Sequence, residues 1–254
     1  MSIEEIGETL RRGDPDRFGA SLIAAPDARE KLWVLYTLNN EVARAPLQTQ
    51  EPLVAEMRLQ WWVDQLEGVA KGYLPSHDLL AQIAMTWGAE AAELIPLAEA
   101  RRRDCERLPF ADADEVVAYV RATSVPLMQL AIRSLDSTAP AGVQPVMEAQ
   151  ALGAGIATWL AALPELTAYG LGLRQQDSGT LSELARRGRT ALDTARSGRR
   201  DVPRRFAPAL YRGPRLRPFL AGVEASGDIA QPKPSEFQRR LALGRLALTG
   251  RWWT

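Results

Sequence analysis

The spacing of hydrophobic positions along this chain of 254 residues predicts helices almost throughout. Apolar residues recur at intervals of three and four, the period of an α-helix, and no convincing run of alternating β-branched residues indicates a strand. The chain shows neither a repeat of fixed period nor an obvious domain break. The pattern therefore predicts one all-α domain over residues 1–254.

Two helices in the first third of the chain have the clearest pattern. The first begins within residues 25–30, where Asp27 and Glu30 have the spacing of a capping box, and Pro46 ends it. The second covers residues 52–68 and is apolar over a wide arc. We therefore expect the second helix to lie near the centre of the fold.

The same pattern predicts further helices in the rest of the chain. The helix over 95–108 is expected to include an exposed arginine turn at 101–103, and Gly153 and Gly155 allow close packing of an Ala/Gly-rich helix. The stretch 199–234 is rich in arginine and proline and is predicted to be loop-rich. The predicted helices cover residues 77–87, 95–108, 112–135, 145–163, 180–197 and 235–253.

The formal net charge is zero, but the two halves of the chain carry opposite charge. Residues 1–127 hold 21 acids and 13 bases, whereas residues 128–254 hold 10 acids and 18 bases. Eleven arginines lie in the segment 186–217, with only Asp193 and Asp201 as acids. One interpretation is a solvated surface. The other is a site for phosphate, acidic lipid head groups or an acidic protein face, since guanidinium groups bind such anions bidentately.

A single cysteine and a single histidine exclude several classes of site. Cys105 cannot form a disulfide framework, and together with His77 it does not make a zinc cluster. The neighbours Asp104 and Glu106 raise the pKa of the Cys105 thiol, so nucleophilic cysteine chemistry is unsupported. His77 lies at a helix start, where capping or solvent exposure accounts for it.

Targeting and membrane-spanning signals are missing from the sequence. The first ten residues carry acids and no apolar run, unlike a secretory signal. The longest uncharged stretch, 149–164, is too short and too weakly apolar to span a bilayer. We therefore expect a cytoplasmic location, with peripheral contact to the inner membrane as an open alternative.

Polar residues on the two early helices are candidates for a ligand pocket. Tyr36 and Asn39 share the apolar stripe of the first helix. A buried polar group costs about 1–3 kcal/mol when it has no partner, so Asn39 either has a hydrogen-bond partner or lines a cavity.

The second helix carries Glu56, Gln60 and Asp64 at four-residue spacing, which places them in one polar file beside Trp61. Together with Glu41 they could offer oxygen ligands to a divalent metal. A solvated or salt-bridged face is the more economical interpretation, with Arg44 and Arg58 as available partners.

The C-terminal helix mixes arginines with leucines and ends in two tryptophans, Trp252 and Trp253. Such a helix could lie in a membrane interface. Alternatively it docks on the protein, with its leucines in the core and its tryptophans covering its end. A peripheral membrane contact is therefore one predicted partner interaction.

Three segments of the chain resemble the squalene/phytoene synthase family: residues 16–18, 31–44 and 56–62. The Arg-Leu-Gln-Trp-Trp sequence at 58–62 is the most specific of them. This sequence resembles the signature of one branch of the family, which includes the mitochondrial complex I assembly factor and its alphaproteobacterial relatives. Elsewhere the likeness is limited to helix order and scattered positions.

The resemblance implies an isoprenoid-synthase-like helical bundle. True synthases hold prenyl diphosphates through Mg²⁺, which two aspartate-rich motifs bind. In this sequence the first motif falls on Ala43, Arg44 and Leu47, and the second falls near residues 161–166, where only Glu165 is acidic. Alanine cannot ligate a metal, and Arg44 in the pocket would itself supply positive charge.

These losses imply a catalytically degenerate relative that acts as an assembly factor or binds an isoprenoid or other lipid, with respiratory complex I as one possible client. The alternative is a divergent prenyltransferase that condenses prenyl diphosphates. Only this alternative needs a cofactor, Mg²⁺, held by Glu41, Glu56, Asp64 or Glu165. If the chain is a catalytically degenerate relative, we expect no catalytic residues, no resident metal and no nucleic-acid partner. Its ligand-pocket candidates are Tyr36, Asn39, Glu41, Arg44, Glu56, Arg58, Gln60, Trp61 and Asp64.

Overall fold

Twelve α-helices make up most of the structure, a computed structural model that describes residues 1–230 and 234–253. Within those residues no strand forms, and Phe110 and Leu173 make one isolated bridge. The all-α class predicted from the sequence is confirmed. The helices are α1 (Ile3–Gly13), α2 (Pro15–Ser21), α3 (Pro26–Arg44), α4 (Pro52–Ala70), α5 (Asp78–Thr86), α6 (Ile95–Glu99), α7 (Ala113–Leu135), α8 (Val143–Ala168), α9 (Ser178–Ser197), α10 (Ala207–Leu210), α11 (Leu216–Ser226) and α12 (Glu236–Thr249).

Helix α8 is the centre of one half of the fold, where it packs between α7 and α9. A Cβ atom added to Gly153 would lie 2.7 Å from the backbone oxygen of Gly188. One added to Gly155 would lie 2.5 Å from the side chain of Val120. Both distances are shorter than van der Waals contact, so the close packing predicted at these glycines is confirmed.

By length and composition, α8 could also cross a bilayer. Its most apolar window has a mean hydropathy of 1.3, and 67% of that window is buried inside the fold. Neighbouring helices therefore cover most of the surface that lipid would contact. Burial of this kind is what a core helix requires.

Helices α3 and α4 organise the other half. α3 packs against α1, α5 and α7, and its Leu32 and Leu35 are fully buried. α4 buries Leu59 and Leu66 but leaves Met57 and Trp61 exposed. The prediction that this second helix lies centrally is therefore right for one face only, because the face that carries Met57 and Trp61 is exposed.

The helix ends agree in part with the predicted caps. Asp112 accepts a hydrogen bond of 2.9 Å from the backbone nitrogen of Glu115, as predicted. The capping box predicted at Asp27 is wrong: Ala25 is the N-cap of α3, no side-chain bond is described there, and Pro26 occupies the first helical position. Proline suits that position, because the N–H it lacks would have no partner within the helix and its fixed φ matches the helix.

The prediction of a single helix over 95–108 is also wrong, because α6 is followed by a separate 3₁₀ helix, Arg102–Glu106. The arginines at 101–103 were expected to be exposed, yet each is at least half-buried and paired. Arg101 donates to the Tyr119 hydroxyl at 2.6 Å, and Arg103 donates to Glu115 at 2.8 Å. These bonds hold the turn against α7.

The segment 199–234 contains two 3₁₀ helices as well as the α-helices α10 and α11. Residues 231–233 of this segment lie outside the described chain. α12 begins with a capping box between Ser235 and Gln238 and ends at Thr249. Trp252 lies beyond the helix and is buried. The C-terminal segment is therefore docked on the protein through Trp252 as well as through the helix.

Candidate functional site

A cavity of about 400 Å³ opens where α2, α8, α11 and α12 meet. One wall is apolar and comes mainly from α8 and α11. The other wall is polar and comes from α2, α12 and the loop between α10 and α11. The lining residues are Asp16, Ala157, Thr158, Ala161, Arg212, Gly213, Pro214, Arg215, Leu216, Pro218, Phe219, Ile229, Pro234 and Arg239.

The polar wall stands on a buried charge cluster at the start of α2. Asp14 caps this helix by accepting a hydrogen bond of 3.0 Å from the backbone nitrogen of Arg17. Its other carboxylate oxygen lies 3.1 Å from the Arg17 guanidinium and 3.7 Å from that of Arg212. Two arginines thus share one carboxylate, so the cluster has an excess of positive charge.

Burial and neighbouring charges shift the pKa values of Arg212 and Asp14 in this cluster. Loss of water contact, with the nearby Arg17 as the next cause, lowers the pKa of Arg212 to about 10. Burial acts to raise the pKa of Asp14, but Arg17 and Arg212 together outweigh it, so the pKa of this carboxyl lies below its usual value. An additional anion would relieve the unfavourable state of Arg212.

The second ion pair of the cavity joins α2 to α12. The Nε of Arg239 lies 3.8 Å from Oδ2 of Asp16, too far for a hydrogen bond. The Oδ1 of Asp16, the Nε of Arg239 and the hydroxyl of buried Tyr211 have no hydrogen-bond partner among the described residues. Burial raises the pKa of Asp16. Such unsatisfied buried groups beside a cavity are typical of a site that holds a ligand or water.

The loop that carries Arg212 has an unusual backbone. Gly213 has a φ of 108°, and a Cβ atom there would lie 2.9 Å from Oδ2 of Asp16. Arg215 has a φ of 65° in the left-handed region and stands directly before α11, whose N-terminus receives no described side-chain cap. Free backbone N–H groups at such an end attract anions.

The cavity therefore combines two chemistries. Among its described lining residues, Arg212, Arg215 and Arg239 face only one acid, Asp16. The opposite wall offers small and apolar side chains from α8 and α11. This combination suits a ligand with an anionic head and an apolar body.

The ligand-pocket residues predicted from the sequence do not gather in this cavity. Tyr36 contacts the charge cluster of α2: it is buried, and the Arg17 guanidinium lies 4.8 Å from the centre of its ring. Asn39 is buried in α3 and Arg44 is exposed at the end of that helix. Neither of these two lines a described cavity.

The polar file on α4 forms a salt-bridged face, the more economical of its two interpretations, but its described partner is Arg102 and not the expected Arg44 or Arg58. Arg102 donates to Glu56 and to Gln60, each at 2.6 Å. Gln60 in turn donates to Asp64 at 2.7 Å. Arg102 also pairs with Glu99 at 2.6 Å. The file therefore attaches α4 to the segment after α6.

A second cleft, of about 480 Å³, lies on the exposed side of α3 and α4 and is distant in sequence from the cavity lining. It includes Glu41, Arg58 and Trp61. Arg58 donates to the side chain of Gln48 at 2.8 Å, and the indole of Trp61 packs edge-on against His77. The predicted site residues are thus divided between a buried stripe, a salt-bridged file and this surface cleft.

The arginine-rich segment 186–217 supports both of its interpretations, at different residues. Arg212 and Arg215 line the cavity. Most of the others pair with nearby acids at the surface, as the solvated interpretation expects. These pairs are Arg186 and Arg187 with Glu183, Arg189 with Glu224, Arg205 with Asp136, and Arg217 with Asp193.

The residues at the positions of the two aspartate-rich motifs do not fit Mg²⁺. At the end of α3 the backbone oxygens of Pro46 and Leu47 accept hydrogen bonds from Arg107, at 3.4 Å and 3.2 Å. A guanidinium thus lies beside the first motif position, and Glu165 in the second is exposed. Within residues 1–230 and 234–253, no three His, Cys, Asp or Glu side chains are close enough to hold a metal.

Sequence reasoning missed Asp14, Arg17 and Arg239 as site residues. Residues 16–18 were recognised only as part of a family resemblance, and Arg239 only as part of a basic helix. The segment 186–217 was a usable signal, because it contains Arg212. Nothing local in the sequence indicates that residues 14–17 contact residues 212 and 239.

Comparisons with known proteins agree with this fold. The squalene/phytoene synthase family matches residues 10–174. No curated protein sequence matches the chain significantly. The squalene synthase HpnC from Alicyclobacillus acidocaldarius is similar in structure, with a TM-score of 0.68 and 15% identity over 88% of this chain and 90% of that one.

A dehydrosqualene synthase, solved in complex with a ligand, is similar with a TM-score of 0.72 and 10% identity. The match covers 96% of this chain and 94% of that chain. At these identities the two structures show the fold alone, which is the isoprenoid-synthase-like bundle expected from the sequence. The family match covers well over half of the residues. The chain belongs to the squalene/phytoene synthase family.

Proposed function

We propose that this chain is a catalytically degenerate member of its family that binds, without Mg²⁺, a ligand with an anionic head and an apolar chain. A prenyl diphosphate or a related lipid has this chemistry. The observation that carries the proposal is the excess of arginine over acid in the cavity lining, Arg212, Arg215 and Arg239 against Asp16, opposite an apolar wall.

The head of the ligand would lie between the guanidinium groups and the N-terminus of α11. Guanidinium groups bind phosphate oxygens in pairs, and each such charge-assisted bond is about twice as strong as a neutral one. The chain of the ligand would lie along Ala157, Ala161 and Phe219. Fixed positive charge on the protein would replace the metal as the partner of the diphosphate.

The divergent prenyltransferase is supported less well. It needs several acids around one ion. Glu56 is bonded to Arg102, Asp64 to Gln60, and Glu41 lies in the separate surface cleft. The acids available for the role are thus spread over different parts of the described chain.

Calorimetry with farnesyl diphosphate, in buffer with EDTA and in buffer with Mg²⁺, tests the binding proposal. We expect binding in EDTA that Mg²⁺ does not strengthen. Arg215→Gln, at an exposed position, is expected to weaken binding about tenfold, since one charge-assisted contact contributes about 1.5 kcal/mol. Ala161→Trp fills the apolar side and is expected to abolish binding.

Arg121→Gln is the matched control, because Arg121 is exposed on α7 and lies away from the cavity lining. It should bind as the wild type does. Binding seen only with Mg²⁺, or conversion of the diphosphate to a C30 product, would overturn the proposal. A wild-type protein that binds neither farnesyl diphosphate nor geranylgeranyl diphosphate would also overturn it.

We also propose a role in assembling a protein complex, with respiratory complex I as the candidate client. The supporting observation is that the most specific resemblance, residues 58–62, lies partly at the surface. Trp61 and Met57 are exposed on α4 beside Arg58 and the surface cleft. A surface signature suits recognition of a protein better than it suits catalysis in a closed pocket.

Complementation of a deletion strain tests this role. Wild-type protein is expected to restore complex I activity, whereas the double variant Trp61→Ser with Met57→Ser is expected not to. The double variant should keep the wild-type affinity for farnesyl diphosphate. Leu108→Ser, which removes a different exposed apolar side chain, is the control. Normal complex I levels in the deletion strain would contradict the assembly role.

A further inference from the structure

Helix α12 is apolar on two opposite faces. Its inner face buries Leu246, and Leu243 packs against α2 at Gly19. Its outer face exposes Phe237, Leu241 and Leu248, whose exposed fractions are 74%, 45% and 79%. At 3.6 residues per turn, these three outer residues lie within about 40° of one another. They form a single apolar stripe, which no described element of the protein covers.

Arginines flank the stripe on both sides. Arg240 and Arg245 are exposed and project from α12 at about 60° to one side and 80° to the other of Phe237. Glu236 is the only acid of α12 and is paired with Arg240 at 2.9 Å. Exposed Arg251 follows the helix. An apolar stripe between arginines is the pattern of a helix that lies in the interface of an anionic bilayer.

The stripe also borders the ligand cavity. A shallow cleft of about 250 Å³ is lined by Leu241, Arg245 and Arg251 of this region. The same cleft shares Pro214, Arg215 and Pro218 with the cavity. The outer face of α12 and the mouth of the cavity are therefore continuous.

We propose that the outer face of α12 docks on a membrane surface that carries anionic lipid head groups. The apolar stripe would enter the head-group region, while Arg240, Arg245 and Arg251 contact phosphates. Charge favours this occupant: the residues beside the stripe are mostly basic, so a second copy related by a two-fold axis would bring arginines against arginines. The surface places the cavity mouth next to the lipid phase.

Vesicle sedimentation tests the docking surface. The full chain is expected to sediment with vesicles of phosphatidylglycerol and phosphatidylcholine at low salt, and not with phosphatidylcholine alone. Raising the salt to 0.5 M should release most of it, because ionic attraction is screened within a few ångströms at that concentration. Binding to both kinds of vesicle alike, or to neither, would overturn the proposal.

Two sets of variants locate the surface. The first is a serine triple variant, Phe237→Ser with Leu241→Ser and Leu248→Ser, which changes exposed side chains only. It is expected to weaken vesicle binding more than about 100-fold. Arg240→Gln with Arg245→Gln is expected to weaken it about 30-fold, from about 1 kcal/mol per basic residue. Leu53→Ser with Leu74→Ser and Met85→Ser changes three exposed apolar side chains away from α12, so it is the matched control and should bind normally.

Further measurements separate the membrane from other occupants. The serine triple variant is expected to keep its circular dichroism spectrum and its affinity for farnesyl diphosphate, so failure of vesicle binding does not depend on the ligand cavity. Sedimentation velocity of the wild type should show no dimer that the triple variant lacks. Such a dimer would assign the stripe to a second copy and overturn the membrane proposal.

Discussion

The guanidinium of Arg17 lies 3.1 Å from the carboxylate of Asp14, the residue that also caps helix α2. One short side chain thus begins a helix and neutralises part of a buried positive cluster. Arg212 approaches the same carboxylate at 3.7 Å from the other end of the sequence. The geometry of the cavity therefore depends on Asp14, although Asp14 does not line it.

We expect Asp14→Asn to destabilise the protein by about 3 kcal/mol at pH 7, because it leaves two largely buried guanidinium groups without their carboxylate. The Asn side chain still caps α2. The pKa of Asp14 is lowered in the fold, so its ionised form stabilises the native state above about pH 4, and this contribution is lost as the pH falls. Urea unfolding at pH 7 and at pH 3 measures the difference.

The stability gap between wild type and Asp14→Asn should therefore shrink at pH 3. An equal gap at both pH values would contradict the ionic role of Asp14. Asp177→Asn is the control, since Asp177 caps α9 through the backbone of Thr180 at 2.7 Å and Asn caps equally well. It should cost less than about 1 kcal/mol.

Two acids, Glu41 of α3 and Glu56 of α4, offer a separate test of metal binding. Glu41→Ala and Glu56→Ala are each expected to leave the affinity for farnesyl diphosphate unchanged, with or without Mg²⁺. Glu56→Ala should lower the free energy of unfolding by about 1 kcal/mol, since it removes one partly exposed bond to Arg102. Titration with Mg²⁺ followed by calorimetry checks the first point. An affinity lost in either variant would return that acid to a ligand role.

Alanine substitutions at two helical glycines, Gly153 of α8 and Gly244 of α12, are expected to have opposite effects. Gly153→Ala places a methyl group 2.7 Å from a backbone oxygen of α9 and should cost about 2 kcal/mol. A Cβ atom added to Gly244 would meet no atom within 4 Å beyond its chain neighbours and the backbone of its own helix, so Gly244→Ala should stabilise the protein by about 0.5–1 kcal/mol. Thermal unfolding measures both. A stable Gly153→Ala protein would mean that α8 and α9 separate easily.

The lone cysteine should be unreactive in the native state. Burial, followed by the nearby Glu56, raises the pKa of the Cys105 thiol to about 12. The sequence predicted the direction of this shift from the acidic neighbours, whereas burial is its larger cause. Labelling with iodoacetamide at pH 8 is expected to be at least about 100-fold slower than in urea. Rapid labelling without denaturant would show that the segment after α6 opens.

The sequence predicted most long helices, because their apolar period and caps are local signals. It did not predict α1 or α2, although Ser2 and Glu5 form a capping box. The cavity was harder to foresee for a physical reason. It depends on contacts between Asp16 and Arg239 and between Asp14 and Arg212, residues that are far apart in the chain. No local pattern reports which distant charges will meet once the helices have packed.

The ion pair between Asp16 and Arg239 has a consequence for biosynthesis. A ribosome exposes Asp16 early, but the polar wall of the cavity is incomplete until Arg239 has also left the exit tunnel. A nascent chain that lacks Arg239 therefore has an incomplete cavity lining. Under the proposed function, loading of the cavity would then report that α2 and α12 have packed together.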